Sequence, residues 1–324
     1  MTKASLLLFL ALVITYAAHG QYGTGNPEKM KQLQNRKLIV VVEEESAQII
    51  KILQTKKRPD QIERYRKSVA DYNTSMKEVV EKLWQFDSKI LYMRFTDAKR
   101  LYKTDQYAVL YCATVENFKH VGQTGGKMHE GLIWSYQNLN VGRDYWDKYT
   151  VMQIKLVEEL NKPAAVFSQN LANVFPEKSD MVFGLQTLNL YIQEADKRSK
   201  ACDLKQVMQV NRQLLATKTL LLRKDWAYHS LTDNEIKEVY PHPFLLTDAS
   251  TFNTLVMQGD SSYAYLQIVP EITSSKSKIK INYLHLIIDA AEGKILGISS
   301  PGVSEGSKII TKSNLKDYSS YARK

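Results

Sequence analysis

The sequence is poor in the residues that make a reactive site easy to see. Its 6 histidines lie far apart, and only two cysteines, Cys112 and Cys202, occur in 324 residues. No cysteine stands near Gln21, which excludes lipid anchoring through an N-terminal thiol there. Beyond residue 20 no segment is apolar enough to cross a bilayer, so no integral membrane span is expected. Positive charge is in excess, 44 Lys+Arg over 34 Asp+Glu for a net +10, but it is scattered. The densest run, Lys56-Lys57-Arg58, reads as solvated surface, because patches rather than totals hold phosphates. Nucleic acid is not an expected partner.

Motifs for chemistry fail when tested. Gly302-Val303-Ser304-Glu305-Gly306 fits the G-x-S-x-G pattern, but that elbow needs its histidine after the serine, and the last histidine is His285. Gly122-Gln123-Thr124-Gly125-Gly126-Lys127 lacks the phosphate-loop glycine at Val121 and the hydroxyl at Met128. His129-Glu130 is followed by Ile133 where a zinc motif needs histidine. His242, between Pro241 and Pro243, reads as a rigid corner. Glu43-Glu44-Glu45 ends a strand and could hold a metal or substrate. With no His or Asp to complete a ligand set, the start of a helix is the better reading. No catalytic residue, cofactor or metal is expected, and the protein reads as a non-enzyme. Alanine at Glu43, Glu45, His129 or His242 is the test of that reading.

What is present describes a folded, exported protein. The chain is 44% hydrophobic and carries 19 Tyr, 9 Phe and 4 Trp, which argues against disorder and permits one large core or two medium ones. Lys3 precedes the apolar run Leu6 to Ala18, and Ala18 and Gly20 stand at the −3 and −1 positions of a cut before Gln21. Residues 1–20 therefore read as a cleaved secretory signal, an uncleaved anchor being the minority reading. The mature protein is expected to be soluble in the periplasm or outside the cell. In that oxidising setting Cys112 and Cys202 could form a disulfide, although Cys112 sits in the apolar run Tyr107 to Ala113, where a thiol behaves as a small hydrophobe.

The chain also reads as though built twice. Residues 21–36 are polar and read as a flexible lead-in. Lys37 to Val42 is a strand, and Asp60, with Pro59 just ahead, opens a long helix as its cap, with Ile62, Tyr65, Val69, Tyr72, Met76, Val79, Val80 and Leu83 recurring at three and four residues. Lys89 to Met93 is a strand, Asp97 to Tyr102 a short helix and Tyr107 to Val115 a strand. A hairpin follows at Val151 to Ser168, and a stronger one at Ile281 to Ser299 turns at Asp289 to Gly293. Phe95-Thr96-Asp97-Ala98 recurs as Leu246-Thr247-Asp248-Ala249, Tyr107-Ala108-Val109-Leu110 as Tyr263-Ala264-Tyr265-Leu266, and Glu116 as Glu271. The expected fold is α/β (α+β), two tandem copies of a β-α-β-α-β-β-β module. The first copy spans 37–206 and the second 207–324. Residues 118–149 form an insertion in the first copy, rich in Gly and aromatics. Trp134, Tyr136, Tyr145 and Trp146 are its candidate partner anchors, because aromatics dominate interface hot spots. Covering the sheet of their own copy is an equally good reading of them. Deleting Gly122 to Asp144 is expected to spare folding.

The Thr-Asp-opened helix, the Tyr-Ala-x-Leu strand and Leu284 to Gly297 (LHLIIDAAEGKILG) together resemble a known α/β domain. It is shared by the curli-secretion lipoproteins and the outer-membrane activators of peptidoglycan synthesis, and is similar to the N-terminal domain of the Tol-system propeller protein. In those families the hairpin carries an Asp-containing Thr-Gly turn. Asp289 and Gly293 match it, while Ala291 and Glu292 stand where Thr is usual. The resemblance implies a non-catalytic envelope protein that binds other envelope proteins. The alternatives are a periplasmic small-ligand binder with its site between the two copies, and a hydrolase with a dispersed site.

Overall fold

The computed structural model describes residues 24–25, 27–86, 89–117, 126–128, 132, 148–162, 164–195, 212–229, 231–275, 278–299 and 308–322. In chain order the first copy contains β1 (Thr24–Gly25), α1 (Pro27–Leu33), β2 (Lys37–Val41), α2 (Ala47–Thr55), α3 (Pro59–Leu83) and β3 (Ile90–Met93). It continues through α4 (Phe95–Arg100), β4 (Tyr107–Asn117), β5 (Gly126–Met128), β6 (Lys148–Leu156), β7 (Phe167–Asn170) and α5 (Lys178–Glu194). The second copy contains β8 (Thr219–Arg223), α6 (Asp233–Val239), β9 (Phe244–Thr247), α7 (Ala249–Gln258), β10 (Tyr263–Ser275), β11 (Lys278–Asp289), β12 (Ile295–Ser299) and α8 (Lys312–Ala322).

Strand order shows the repetition. One sheet runs β1-β7-β6-β4-β2-β3 with β5 on β4, and the other runs β12-β11-β10-β8-β9. In both, one strand (β2, β8) lies parallel between two others (β3 and β4, β9 and β10) and two antiparallel strands follow (β6 and β7, β11 and β12), the first sheet adding the short β1 and β5. Lys37 pairs with Tyr107 as Thr219 pairs with Tyr263, so the two tyrosines are equivalent. The other two anchors are corrected. Ile90 matches Phe244 by register, which places Met93 opposite Thr247 and Arg94 opposite Asp248, three residues away from the Thr-Asp match. Asp248 does cap its helix, accepting from the Thr251 amide, whereas Asp97 lies inside α4 and pairs with Arg94 and Arg100. Counting from the Ala108/Ala264 pair, Glu116 matches Ile272 rather than Glu271.

Alternation along the strands assigns the layers. Leu38, Val40, Ala108, Leu110 and Cys112 face α1, α3 and α5, while Ile39, Val41, Val109 and Tyr111 face α4. The second copy repeats the scheme, with Leu220 and Leu222 toward α6 and α8, and Leu221, Tyr265 and Val269 on the opposite side with α7. The copies stack front to back. The helices on the front of the first sheet share one core with the back of the second sheet, where Phe252, Leu284, Leu286 and Ile288 also lie. At α5 the packing is complete: residues Ser179 to Asn189 are buried all round, as befits a helix covered on every side. Each fully buried aliphatic side chain in that shared core contributes roughly 2 kcal/mol.

Other expectations change. The lead-in is not flexible over residues 27–36. Pro27–Leu33 is helical and packs against α5, and Met30 and Leu33 are buried in the shared core. Glu43 to Glu45 precede α2 rather than starting it, because Ser46 is the cap and accepts from the Ile49 amide. Arg58 is the N-cap of α3 and Pro59 its first residue, which leaves Asp60 within the first turn and not at the cap. The insertion is tied down at two points. Gly126–Met128 pairs with Val115–Asn117, and Leu132 is buried in the shared core, so deleting 122–144 removes structure as well as surface.

Candidate functional site

The seam between the copies is where charge, cavity and buried polar groups converge. Its centre is the start of α5. Pro176 and Glu177 break the chain there, and the helix runs on because Asp180 reaches back to accept from the Glu177 amide at 2.9 Å. Asp180 also accepts from the Ala172 amide (3.3 Å) and the Asn173 side chain (2.8 Å). Burial, with the Glu177 charge beside it, pushes its carboxyl up to about 7.

The second copy grips this point. Arg223 ends β8, is 3% exposed, and donates to Glu177 at 2.8 Å and to Asp225 at 2.9 Å, with its guanidinium 4.5 Å from the Trp226 ring. Asn253 of α7 donates to the same Glu177 carboxylate at 2.8 Å and accepts from the Ser179 amide at 2.9 Å. Two charges and a carboxamide thus fix the orientation of one copy on the other, and all their principal polar atoms find partners.

In front of this cluster lies a cleft of about 530 Å³ with walls from both copies. The first wall is one face of α3, carrying Ser68, Asp71, Tyr72 and Ser75 at helical spacing. The opposite wall is Ser250, Asn253 and Thr254 of α7. Phe175, Pro176, Glu177 and Lys178 close the back, and Leu132 of the insertion reaches in. A second cavity of about 290 Å³ lies further along α5, among the carboxamides of Gln85, Gln186, Asn189 and Gln193 and the hairpin residues Ala291 to Lys294. There Gln186 joins the copies by donating to the Ala290 carbonyl (2.8 Å) and accepting from the Tyr265 hydroxyl (2.9 Å). Gly293 sits against it at φ +69, where a Cβ would meet Gln186 at 2.5 Å. Glycine is required twice over at that turn, by sterics and by backbone sign.

No protein-family model, curated protein or solved structure matches the chain.

Several residues singled out in the sequence have structural work. The Glu43 backbone amide donates to the Asn73 side-chain oxygen and its carbonyl accepts from the Asn73 carboxamide, both at 2.9 Å, while the Glu43 carboxylate accepts from the Leu132 amide. Glu45 makes an exposed pair with Arg66. His242 packs edge-on to Tyr240, 5.2 Å between ring centroids. Cys112 is buried as a free thiol, and burial pushes it up to about 12, which leaves it inert. Cys202, His129, Ser304, Trp134, Tyr136, Tyr145 and Trp146 lie outside the described residues. Among the described residues no group of three His, Cys, Asp or Glu side chains could hold a metal, and no helix is long and apolar enough to cross a membrane. Of the residues that matter at the seam, Arg223 and Asn253 leave no mark in sequence, and Pro176-Glu177-x-x-Asp180 is a faint helix-start pattern that Glu177, a poor cap residue, obscures.

Proposed function

We propose that this chain is an exported, non-catalytic cell-envelope protein that works by binding, and that the cleft between its two copies holds a small ligand. The observation that carries this reading is the cleft's position. Its walls come from both copies, its size lies within the range of ligand sites, and buried polar residues order its back. Export rests on the signal-like residues 1–20, and the envelope assignment on the resemblance drawn from the second hairpin. The test is the melting temperature of the mature protein across a panel of small molecules. A ligand at about 100 times its Kd raises stability by about 2.7 kcal/mol, a shift of several degrees. A panel that leaves the melting temperature unmoved sinks the proposal.

A second reading, assembly with another envelope protein, is favoured by the anchoring of the insertion at Gly126–Met128 and Leu132. Trp134, Tyr136, Tyr145 and Trp146 follow these anchored residues in sequence and are the proposed partner anchors. Loss of a pull-down partner on alanine substitution of Trp134 and Trp146, with the melting temperature unchanged, would support this reading.

A further inference from the structure

We infer that the seam cleft takes a neutral, hydroxyl-rich ligand, a carbohydrate of one or two rings. The inference rests on the proposal that the cleft is a binding site and adds the chemical class of its occupant.

Charge selects against ions of either sign. Among the described residues the lysine lining the cleft, Lys178, is held by Glu78. Arg223 lies behind Glu177, engaged by two carboxylates. The amides at the start of α5 offer little to an anion, because the Ser179 amide goes to Asn253 and the Glu177 amide to Asp180. A cation meets no better reception. Asp71 is paired with Lys67 at 2.6 Å, and Glu177 already receives Arg223 and Asn253. An ionic ligand would have to displace one of these pairs.

What the two helical walls present instead is hydroxyl oxygen. On α3 the Ser68 hydroxyl donates to the Arg64 carbonyl at 2.9 Å, and on α7 the Thr254 hydroxyl donates to the Ser250 carbonyl at 3.0 Å. Their protons are directed into their own helices, so the lone pairs turn outward as acceptors. Ser75 and Ser250 add two more hydroxyls, one on each wall. A ligand that supplies several O–H donors at once satisfies such a surface. Between the walls, Phe175, Pro176 and Leu132 give an apolar back. A sugar ring has this split character, with C–H groups on one face and hydroxyls around its edge. Apolar walls with a few placed polar groups are the usual composition of small-molecule sites.

The experiment is isothermal titration of the mature full chain with three probe classes: neutral mono- and disaccharides including maltose, cellobiose and diacetylchitobiose; inorganic phosphate; and spermidine. At least one neutral saccharide is expected to bind and to raise the melting temperature. Thr254→Trp and Ser75→Trp, both on helix surfaces lining the cleft, should weaken that binding at least about tenfold by filling it. Their ligand-free melting temperatures report whether either variant is misfolded, and Ser250→Leu serves as a milder third. Binding of phosphate or spermidine that Thr254→Trp abolishes would overturn the carbohydrate assignment while leaving the cleft as a site. Saccharide binding unaffected by all three variants would overturn the location, and with it the proposed function. No heat and no thermal shift from any saccharide at about 10 mM would also overturn the inference.

Discussion

Asp180 carries the clearest single-residue consequence. Its carboxyl is raised to about 7, chiefly by burial and then by Glu177. In the unfolded chain an aspartate titrates near 3.9. Below about pH 4 both states hold the proton and the folded state bears no penalty. Between about 4 and 7 the unfolded chain releases its proton while the folded chain keeps it, so stability falls as pH rises. Above about 7 both are ionised and the dependence on this residue ends. Asp180→Asn is expected to lower the melting temperature most below about pH 7, because the Ala172 and Glu177 amides bond different oxygens and an asparagine turns one of them into a donor. It is also expected to flatten the decline between about pH 4 and 7, whose fall depends on Asp180 keeping its proton there. Melting curves of both proteins across that range decide it, and an unchanged slope refutes the assignment. Nothing in sequence marks this aspartate as unusual. Its environment comes from Asn173, Glu177 and Arg223, and only Asn173 and Glu177 are near it in sequence.

At the scale of the element, α5 decides how the halves meet. Sequence reading places a helix at Phe183 to Gln206, while the helix spans Lys178–Glu194. The start is missed because Glu177 is not a favoured cap residue and the apolar run begins later than the helix. The burial is missed for a different reason. A helix buried all round shows no stripe, and α5 carries Gln186, Thr187 and Asn189 among its buried residues. Gln186→Leu is expected to destabilise the fold by about 2–4 kcal/mol, because it strips partners from both the Tyr265 hydroxyl and the Ala290 carbonyl. A urea titration measures this, and a loss under about 1 kcal/mol would mean that water takes over both bonds. By contrast α3 was legible almost to the residue. Its stripe of Tyr65, Val69, Tyr72, Met76, Val79 and Val80 is buried as a stripe should be, and Pro59 marks its start.

For the whole molecule, the doubling was legible and the docking was not. Hairpins and the Tyr107/Tyr263 strands repeat in order, and the register confirms their equivalence. The Thr-Asp match failed because Thr-Asp before a helical turn is a general capping solution that chance supplies. No periodicity can report that the front of one sheet lies on the back of the other, since each copy alternates apolar residues on both faces. The seam has a direct test. Residues 212–324 expressed alone would expose Leu221, Phe252, Val256, Tyr265, Val269, Leu284, Leu286 and Ile288, which the first copy covers. That fragment is expected to aggregate or bind a hydrophobic dye, and to fold when co-expressed with residues 21–195. A well-folded monomeric fragment would show that the copies are independent.

Because α5 lies in the core that the two copies share, they cannot act as jaws. Swinging them apart would wet the back of the second sheet and break the Arg223–Glu177 and Gln186–Ala290 links together. A ligand of the proposed class would therefore enter a mouth already set, admitted by shifts of the rim side chains on α3 and α7. Capture should be quick and cost little in reorganisation, and selectivity must come from the shape of the walls, with no closing motion to enforce it.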